Sequence, residues 1–312
     1  MVRILTALCI AVFATAALAT AQPAAPTAPH LGPMFPDKPT LLRGIEINEA
    51  ALEKAWSTHA SNEILVKIYS NLGGLYEDAS LYLKSEDAMR HAISLLRTGP
   101  QDQLADEFGH LGMLHVAMDE QGEAVKDQLA ALRIRESIGD PIGIALSRND
   151  LADVYIKERR YNKALDLAQA SYDVLAENSR VAPTDRIASY ETLAYALCGI
   201  HQCDRAIALL QSAIQLASAS FGADSLSVGL VTYLLGDSYW KNGDLNRAAD
   251  LMRRGTERMK QDMGWGHAMY LNAMAQYAKL LRQRGEVEAA SAAQREVRQA
   301  ADVVDARSFT GR

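Results

Sequence analysis

The sequence predicts an all-α protein built from stacked helical hairpins, and three observations support this prediction. A pattern of spaced residues occurs six times, at intervals of 39, 40, 42, 42 and 42 residues. Two helix-breaking segments fall within each full period. The composition, with 49% hydrophobic but only 6% aromatic residues, is typical of a helical protein. Because periods of 20 to 50 residues indicate repeat arrays, the chain is expected to have no single globular core.

Each repeat is defined by an anchor, which is an apolar residue followed by Gly or Ala. A larger residue comes three positions after the Gly or Ala, a small one nine positions later, and a second compact one after seven more. Small residues at facing positions allow two helices to pack closely. The anchors are Leu72-Gly73, Leu111-Gly112, Leu151-Ala152, Leu193-Ala194, Leu235-Gly236 and Tyr277-Ala278.

The breaks divide each repeat into a first and a second helix. In the fifth repeat, residues 226–241 are predicted to form the first helix and residues 245 to about 260 the second. The turn Asn242-Gly243-Asp244 places Gly where a helix ends and Asp where the next needs an N-cap. Further breaks between repeats are expected at Gly139-Asp140-Pro141, Ala182-Pro183-Thr184, Gly222-Ala223-Asp224 and Gly264-Trp265-Gly266.

The N-terminal segment has the pattern of a secretory signal peptide, which we assign to residues 1–21. A single basic residue, Arg3, precedes an apolar stretch, and Ala19 and Ala21 form a cleavage site. Residues 22–43 are predicted to be a Pro/Ala-rich linker, because six prolines fall between positions 22 and 39. We therefore expect an exported protein, periplasmic or secreted, without stable membrane insertion after cleavage. A capping helix is expected at 44–62, the repeat array at 63–300 and a C-terminal tail at 301–312.

The spacing Leu151-Ala152-x-x-Tyr155 … Tyr161-x-x-Ala164 … Ser171 resembles the tetratricopeptide repeat family, and Leu235-Gly236-x-x-Tyr239 … Ala248 … Gly255 carries the same resemblance. The likeness is to the 42-residue variety found in kinesin light chains, and it covers about six repeats. It implies an α-solenoid, a right-handed superhelix of antiparallel helix hairpins. It also implies a concave groove, lined by the first helices, that binds a peptide or protein partner.

First-helix residues that are not used for packing are therefore candidates for the partner-binding groove. Aromatic groups in neighbouring repeats favour contact with apolar side chains of an extended ligand. For Trp240 an equal alternative is packing on the next hairpin. The candidates are Asn71, Asn149, Asp153, Tyr195, Tyr233, Asp237, Trp240, Lys241, Lys279 and Arg282.

The two cysteines of the fourth repeat, Cys198 and Cys203, flank its turn and are a candidate disulfide. In an oxidising compartment such a pair joins the two helices of the hairpin. Two free thiols remain an alternative. A metal site formed with His201 lacks a visible fourth ligand.

The sequence contains none of the motifs that mark common catalytic sites, so we predict no enzyme activity, no cofactor and no metal. The net charge of −6 disfavours nucleic acid as a partner. The predicted function is a noncatalytic scaffold for protein–protein interaction. The alternative is an accessory structural subunit of an envelope assembly, and an unrecognised hydrolase is a third hypothesis.

Overall fold

The computed structural model describes residues 38–264 and 267–309, and within these ranges it contains thirteen helices and no strand. The prediction of an all-α fold is confirmed. The helices are α1 Lys38–Ser57, α2 Asn62–Asp78, α3 Tyr82–Leu96, α4 Gln101–Ala117, α5 Gln121–Ile138, α6 Pro141–Lys157, α7 Tyr161–Leu175, α8 Pro183–Gly199, α9 Cys203–Phe221, α10 Leu226–Lys241, α11 Leu245–Met263, α12 Ala268–Gln283 and α13 Val287–Phe309.

The chain divides into two compact units, which comprise residues 38–178 and 179–309 of the described chain. In the N-terminal unit, α1 packs on α2, and the hairpins α2/α3, α4/α5 and α6/α7 follow. The C-terminal unit contains the hairpins α8/α9, α10/α11 and α12/α13. Within each unit, the second helix of one hairpin packs on the first helix of the next, and first helices of neighbouring hairpins also touch. This arrangement is that of an α-solenoid.

The repeated small residues lie where paired helices approach most closely. A Cβ atom added to Gly236 would lie 2.8 Å from the Met252 side chain and 2.9 Å from the Met252 backbone nitrogen. The small residues that begin the second-helix pattern all have 0% exposed surface. Close packing of the two helices therefore explains the pattern. These residues are Ser85, Ala124, Ala164, Ala206, Ala248 and Ala290.

A residue with left-handed backbone conformation closes each hairpin turn. This residue lies eight positions after the apolar anchor residue. The backbone N–H of the residue that follows it donates to the carbonyl oxygen of the residue four positions after the anchor. In the fifth repeat, Asp244 donates to Tyr239 at 2.9 Å. This is the Schellman type of helix end. Glycine occupies the position in only two of the six turns, so the pattern cannot be recognised from Gly alone. The residues are Ser80, Asp119, Arg159, His201, Gly243 and Gly285.

The ends of the array differ from the predicted boundaries. Helix α1 begins at Lys38 and ends at Ser57, whereas the sequence predicted a helix over 44–62. Pro39 is compatible with this start. Proline lacks a backbone N–H, and the N–H groups of the first helical turn have no acceptor within the helix, so no hydrogen bond is lost. Helix α13 continues to Phe309, past the predicted end of the array at residue 300. The predicted signal peptide and most of the linker lie outside the described residues.

Candidate partner-binding surface

The position of a residue relative to its anchor decides whether it reaches the surface. Asp153, Tyr195, Asp237 and Lys279 each lie two residues after their apolar anchor, and all four are at least partly exposed. Asn71, which directly precedes its anchor, is also exposed. These five candidates are therefore accessible to a partner.

Asn149 and Tyr233 are buried, and their prediction as groove residues is wrong. Both lie two positions before their anchors. Asn149 has 0% exposed surface and Tyr233 has 8%. The Tyr233 hydroxyl donates to the carbonyl oxygen of Ala273 on α12 at 3.5 Å, and burial raises the pKa of this phenol above its ordinary value. Tyr233 thus packs one first helix on the next instead of facing a ligand.

Side chains from α8 and α10 meet on the surface of the C-terminal unit. The Lys241 ammonium lies 2.7 Å from Oδ2 of Asp237 and 5.2 Å from the centre of the Tyr195 ring. An ammonium over an aromatic face is attracted by the ring quadrupole. We call these three residues, together with the neighbouring Trp240, the aromatic–lysine cluster. Lys241 contacts both Tyr195 and Asp237, and Trp240 is its neighbour in sequence.

Trp240 is half-buried and combines the two roles that the sequence left open. Its indole N–H donates to Oε1 of Gln283 on the next first helix at 2.7 Å. This contact fixes the ring against the following hairpin, while part of the ring stays exposed. A large, rigid and partly exposed ring of this kind suits the centre of an interface.

The basic residues of α12 are exposed but point in different directions. The Lys279 ammonium donates to Gln276 on its own helix at 3.2 Å. The Arg282 guanidinium donates to Oε1 of Gln294 on α13 at 2.6 Å, so it reaches toward the second helix of its own hairpin. The two cations are not brought together at one point by these contacts.

Cys198 and Cys203 are joined as a disulfide across the turn between α8 and α9, with their Cα atoms 4.4 Å apart. Both residues are buried, with 6% and 4% exposed surface. The pairing agrees with the sequence hypothesis, and a chemical count of free thiols tests it.

His115 replaces the large packing residue of other repeats, and the structure gives it charged neighbours as well. Its ring is 1% exposed, with Nδ1 at 2.7 Å from Asp127 and Nε2 at 3.5 Å from Glu86. It therefore links α4 to α3 of the preceding hairpin and to α5 of its own hairpin. In residues 38–264 and 267–309, no group of three or more His, Cys, Asp or Glu side chains could hold a metal ion. Among the same residues, no helix has the length and apolar character that a membrane span needs.

Burial raises the pKa of several carboxyl groups in the N-terminal unit, and the sequence does not predict these shifts. Burial raises the pKa of Glu77 to about 7, with a further contribution from the charge of Asp78. Burial also raises the pKa of Asp78 to about 6 and that of Glu107 above its ordinary value. A hydrogen bond from Ser70 to Glu107 opposes the latter shift.

Residues 185–261 match the model of the tetratricopeptide repeat family. None of the curated proteins matches the sequence. The fold is similar to that of several solved structures. The apo form of RapI has a TM-score of 0.67 at 14% identity, over 85% of this chain and 93% of that one.

Two further solved structures share the fold. BtubC from P. vanneervenii has a TM-score of 0.58 at 19% identity, over 71% of this chain and 91% of its own. A tetratricopeptide repeat protein from Parabacteroides merdae has a TM-score of 0.57 at 15% identity, over 84% and 88%. Residues 185–261 therefore carry the tetratricopeptide repeat. Over most of the chain, the solved structures show a similar fold.

Proposed function

We propose that this chain is an exported, noncatalytic scaffold that binds a peptide or protein partner on its first helices. The observation that carries the proposal is the aromatic–lysine cluster of the C-terminal unit. Tyr195 and Lys241 come from consecutive first helices and are in contact. Trp240, next to Lys241 in sequence, is held by its hydrogen bond to Gln283 on the following first helix. Rigid, partly exposed aromatic groups next to a charge supply both apolar contact and orientation for a ligand.

A structural neighbour supports the same proposal. A Rap protein complexed with Competence and Sporulation Factor has a TM-score of 0.56 at 16% identity, over 84% of this chain and 76% of its own. Recognition of a partner by this fold is therefore compatible with the architecture seen here. The acidic net charge of −6 continues to disfavour nucleic acid.

The direct test is a crosslinking pull-down from the native cell envelope. We expect the wild-type chain to retain a specific partner, and Tyr195→Ala combined with Trp240→Ala to lose it. Phe221→Ala is the matched control, because Phe221 is an aromatic residue of the same unit with 43% exposed surface on the second helix α9. Equal retention by the double variant and the control would refute the assignment of the surface.

Export is tested separately from binding. The mature protein recovered from an exported fraction is expected to begin at Gln22, as N-terminal sequencing or intact mass would show. A chain that keeps residues 1–21 in the cytoplasm would contradict the proposal.

An accessory structural subunit of an envelope assembly is the second candidate, and exposed apolar residues at the N-terminal end favour it. Leu42, Ile47, Trp56, Ile64 and Leu83 are between 45% and 74% exposed. A permanent subunit buries such residues in its assembly and purifies poorly without it. A soluble, monodisperse chain after purification alone would argue against this candidate.

A further inference from the structure

A buried histidine of α4 faces acidic side chains from three segments of the N-terminal unit. The ring of His115 is 1% exposed, and its Nδ1 lies 2.7 Å from Oδ2 of Asp127 on α5. Its Nε2 lies 3.5 Å from Oε1 of Glu86 on α3 and 3.8 Å from Oε2 of Glu120 in the turn before α5. Both ring nitrogens therefore face carboxylate oxygens.

These contacts fix the number of protons that the ring shares with Asp127. An ionised carboxylate accepts hydrogen bonds but donates none. Nε2 must therefore carry a proton to be attracted to Glu86, and a second proton must lie between Nδ1 and Asp127 for their hydrogen bond. His115 and Asp127 thus hold two protons, whichever of them carries the second one. Loss of one proton leaves a nitrogen lone pair opposite a carboxylate oxygen.

The contact of His115 with Glu86 joins two hairpins. Glu86 belongs to α3 of the first hairpin, and Arg90 on the same helix donates to its Oε1 at 2.8 Å. Arg90 and Glu123 of α5 are the other charged groups that act on this cluster. Burial raises the pKa of Asp127, which favours retention of the proton that it shares with the ring. The stacking of α3 on α4 therefore depends on this proton.

Packing alone does not require histidine at this position of the repeat. Histidine is the side chain that ordinarily changes its charge between pH 5 and 8, whereas tyrosine and leucine do not. The second repeat is thus the one repeat with such a group at the large packing position. The corresponding residues of the other repeats are Tyr76, Tyr155, Leu197, Tyr239 and Leu281.

A second contact between the same two hairpins also involves a proton. Glu107 of α4 is 6% exposed and is hydrogen-bonded to Ser70 of α2. Burial raises the pKa of Glu107, the Ser70 hydrogen bond and the charge of His110 oppose this shift, and the charge of Asp106 adds to it. Its Oε2 is buried without a hydrogen-bond partner, which is unfavourable for an ionised carboxylate. The neutral form of Glu107 therefore fits this contact better.

We propose that the junction between the hairpins α2/α3 and α4/α5 is a pH-sensitive device, closed while His115 and Asp127 hold two protons and opened more often as the pH rises. Loss of a proton replaces an attraction between α3 and α4 by a repulsion, and ionisation of Glu107 acts in the same direction. Apolar residues such as Met89 and Leu111 pack in one cluster across the junction, so the change is a local opening. Opening alters the spacing of α2 and α4, which carry part of the first-helix surface. We call this site the His115 junction, formed by Ser70, Glu86, Glu107, His115 and Asp127.

Nitrogen NMR of the histidine rings tests the proton count on the purified full chain. The protein is labelled with ¹⁵N-histidine, and the His115 signals are identified by their absence from His115→Tyr. We expect a protonated Nε2 at pH 6 and loss of one proton as the pH rises to 9. Glu86→Gln should lose this proton at a lower pH, because the carboxylate that attracts it is gone. A bare Nε2 at pH 6, or proton loss that Glu86→Gln leaves unchanged, would overturn the proposal.

Hydrogen exchange of the backbone amides of α4 measures the opening itself. Exchange rates at pH 6 and pH 8.5 are first corrected for the chemical dependence of exchange on pH. Between these conditions, wild type is expected to lose at least about fivefold more protection than His115→Tyr, because a hydrogen bond to a charged group is lost only in wild type. Glu77 and Asp78 also ionise in this range, but they are the same in both chains and cancel in the comparison.

Two further variants control for the substitution. His115→Leu introduces the residue of the fourth and sixth repeats and should agree with His115→Tyr, which it replaces if the tyrosine variant does not fold. His59→Asn removes an exposed histidine whose backbone has a left-handed conformation that asparagine adopts, and it should behave as wild type. The same loss of protection in wild type and in both His115 variants would show that the junction is not the pH-sensitive element.

Discussion

Replacement of Glu77 by glutamine is predicted to stabilise the protein at neutral and basic pH. Burial raises the pKa of this carboxyl from 4.5 to about 7 in the folded chain. Between these values the folded state holds a proton that the unfolded chain has released. The free energy of unfolding therefore falls as the pH rises through this window, and it is constant above it.

The magnitude follows from the size of the shift. A change from 4.5 to about 7 corresponds to about 3 kcal/mol, at 1.36 kcal/mol per pKa unit. This is an upper limit, because the side chain is partly exposed, so we expect about 1 to 3 kcal/mol. Glutamine has nearly the same shape and no charge. The stabilisation should therefore be small below pH 4.5 and reach its full value above pH 7.

Urea unfolding followed by circular dichroism measures this difference. Wild type and Glu77→Gln are compared at pH 5 and pH 8, and the change in their difference between the two conditions is the relevant quantity. Glu136→Gln is the control, because Glu136 is exposed and its replacement should change the free energy by less than about 0.5 kcal/mol. A variant that is less stable than wild type at pH 8 would refute the reasoning, since it would reveal a stabilising partner for Glu77.

Three further predictions concern packing, backbone and covalent structure. Gly236→Ala should destabilise the fold by about 1 to 3 kcal/mol in thermal or urea unfolding, because the new Cβ would clash with Met252. Gly74→Ala should instead stabilise the fold by about 0.5 to 1 kcal/mol, because no atom lies within 4 Å of the added methyl group. An equal loss of stability in both variants would contradict the difference in packing between the two glycines. Mass spectrometry under non-reducing conditions should find no free thiol at Cys198 or Cys203 in exported protein, whereas two alkylated thiols would exclude the disulfide.

The sequence predicts the repeat architecture well, because close helix packing restricts residue size at the same positions in every repeat. Helix α10 has the predicted bounds, Leu226–Lys241. The sequence does not predict the start of α1, because the prolines up to Pro39 disfavour a helix, whereas the first turn of α1 accepts Pro39. The left-handed turn residue could be read only where it is glycine, as at Gly243.

The candidate site was harder to predict, because register and residue type give different information. Tyr195 and Tyr233 have the same side chain, and neither lies at one of the repeated small or apolar positions of its hairpin. Tyr195 lies two residues after its anchor and is partly exposed. Tyr233 lies two residues before its anchor and packs against the next first helix, α12. The carboxyls of Glu77 and Asp78 gave no sequence signal, since only their burial without a cation sets them apart from surface acids.

Photo-crosslinking from the first-helix surface tests the scaffold account most directly. A photoreactive phenylalanine analogue is placed at Tyr195 in one protein and at Phe221 in another, and both are irradiated in intact cells. The account predicts a discrete adduct to a protein or peptide from the Tyr195 position and none from the Phe221 position. Adducts from Phe221 alone, or the same adducts from both positions, would contradict binding on the first helices.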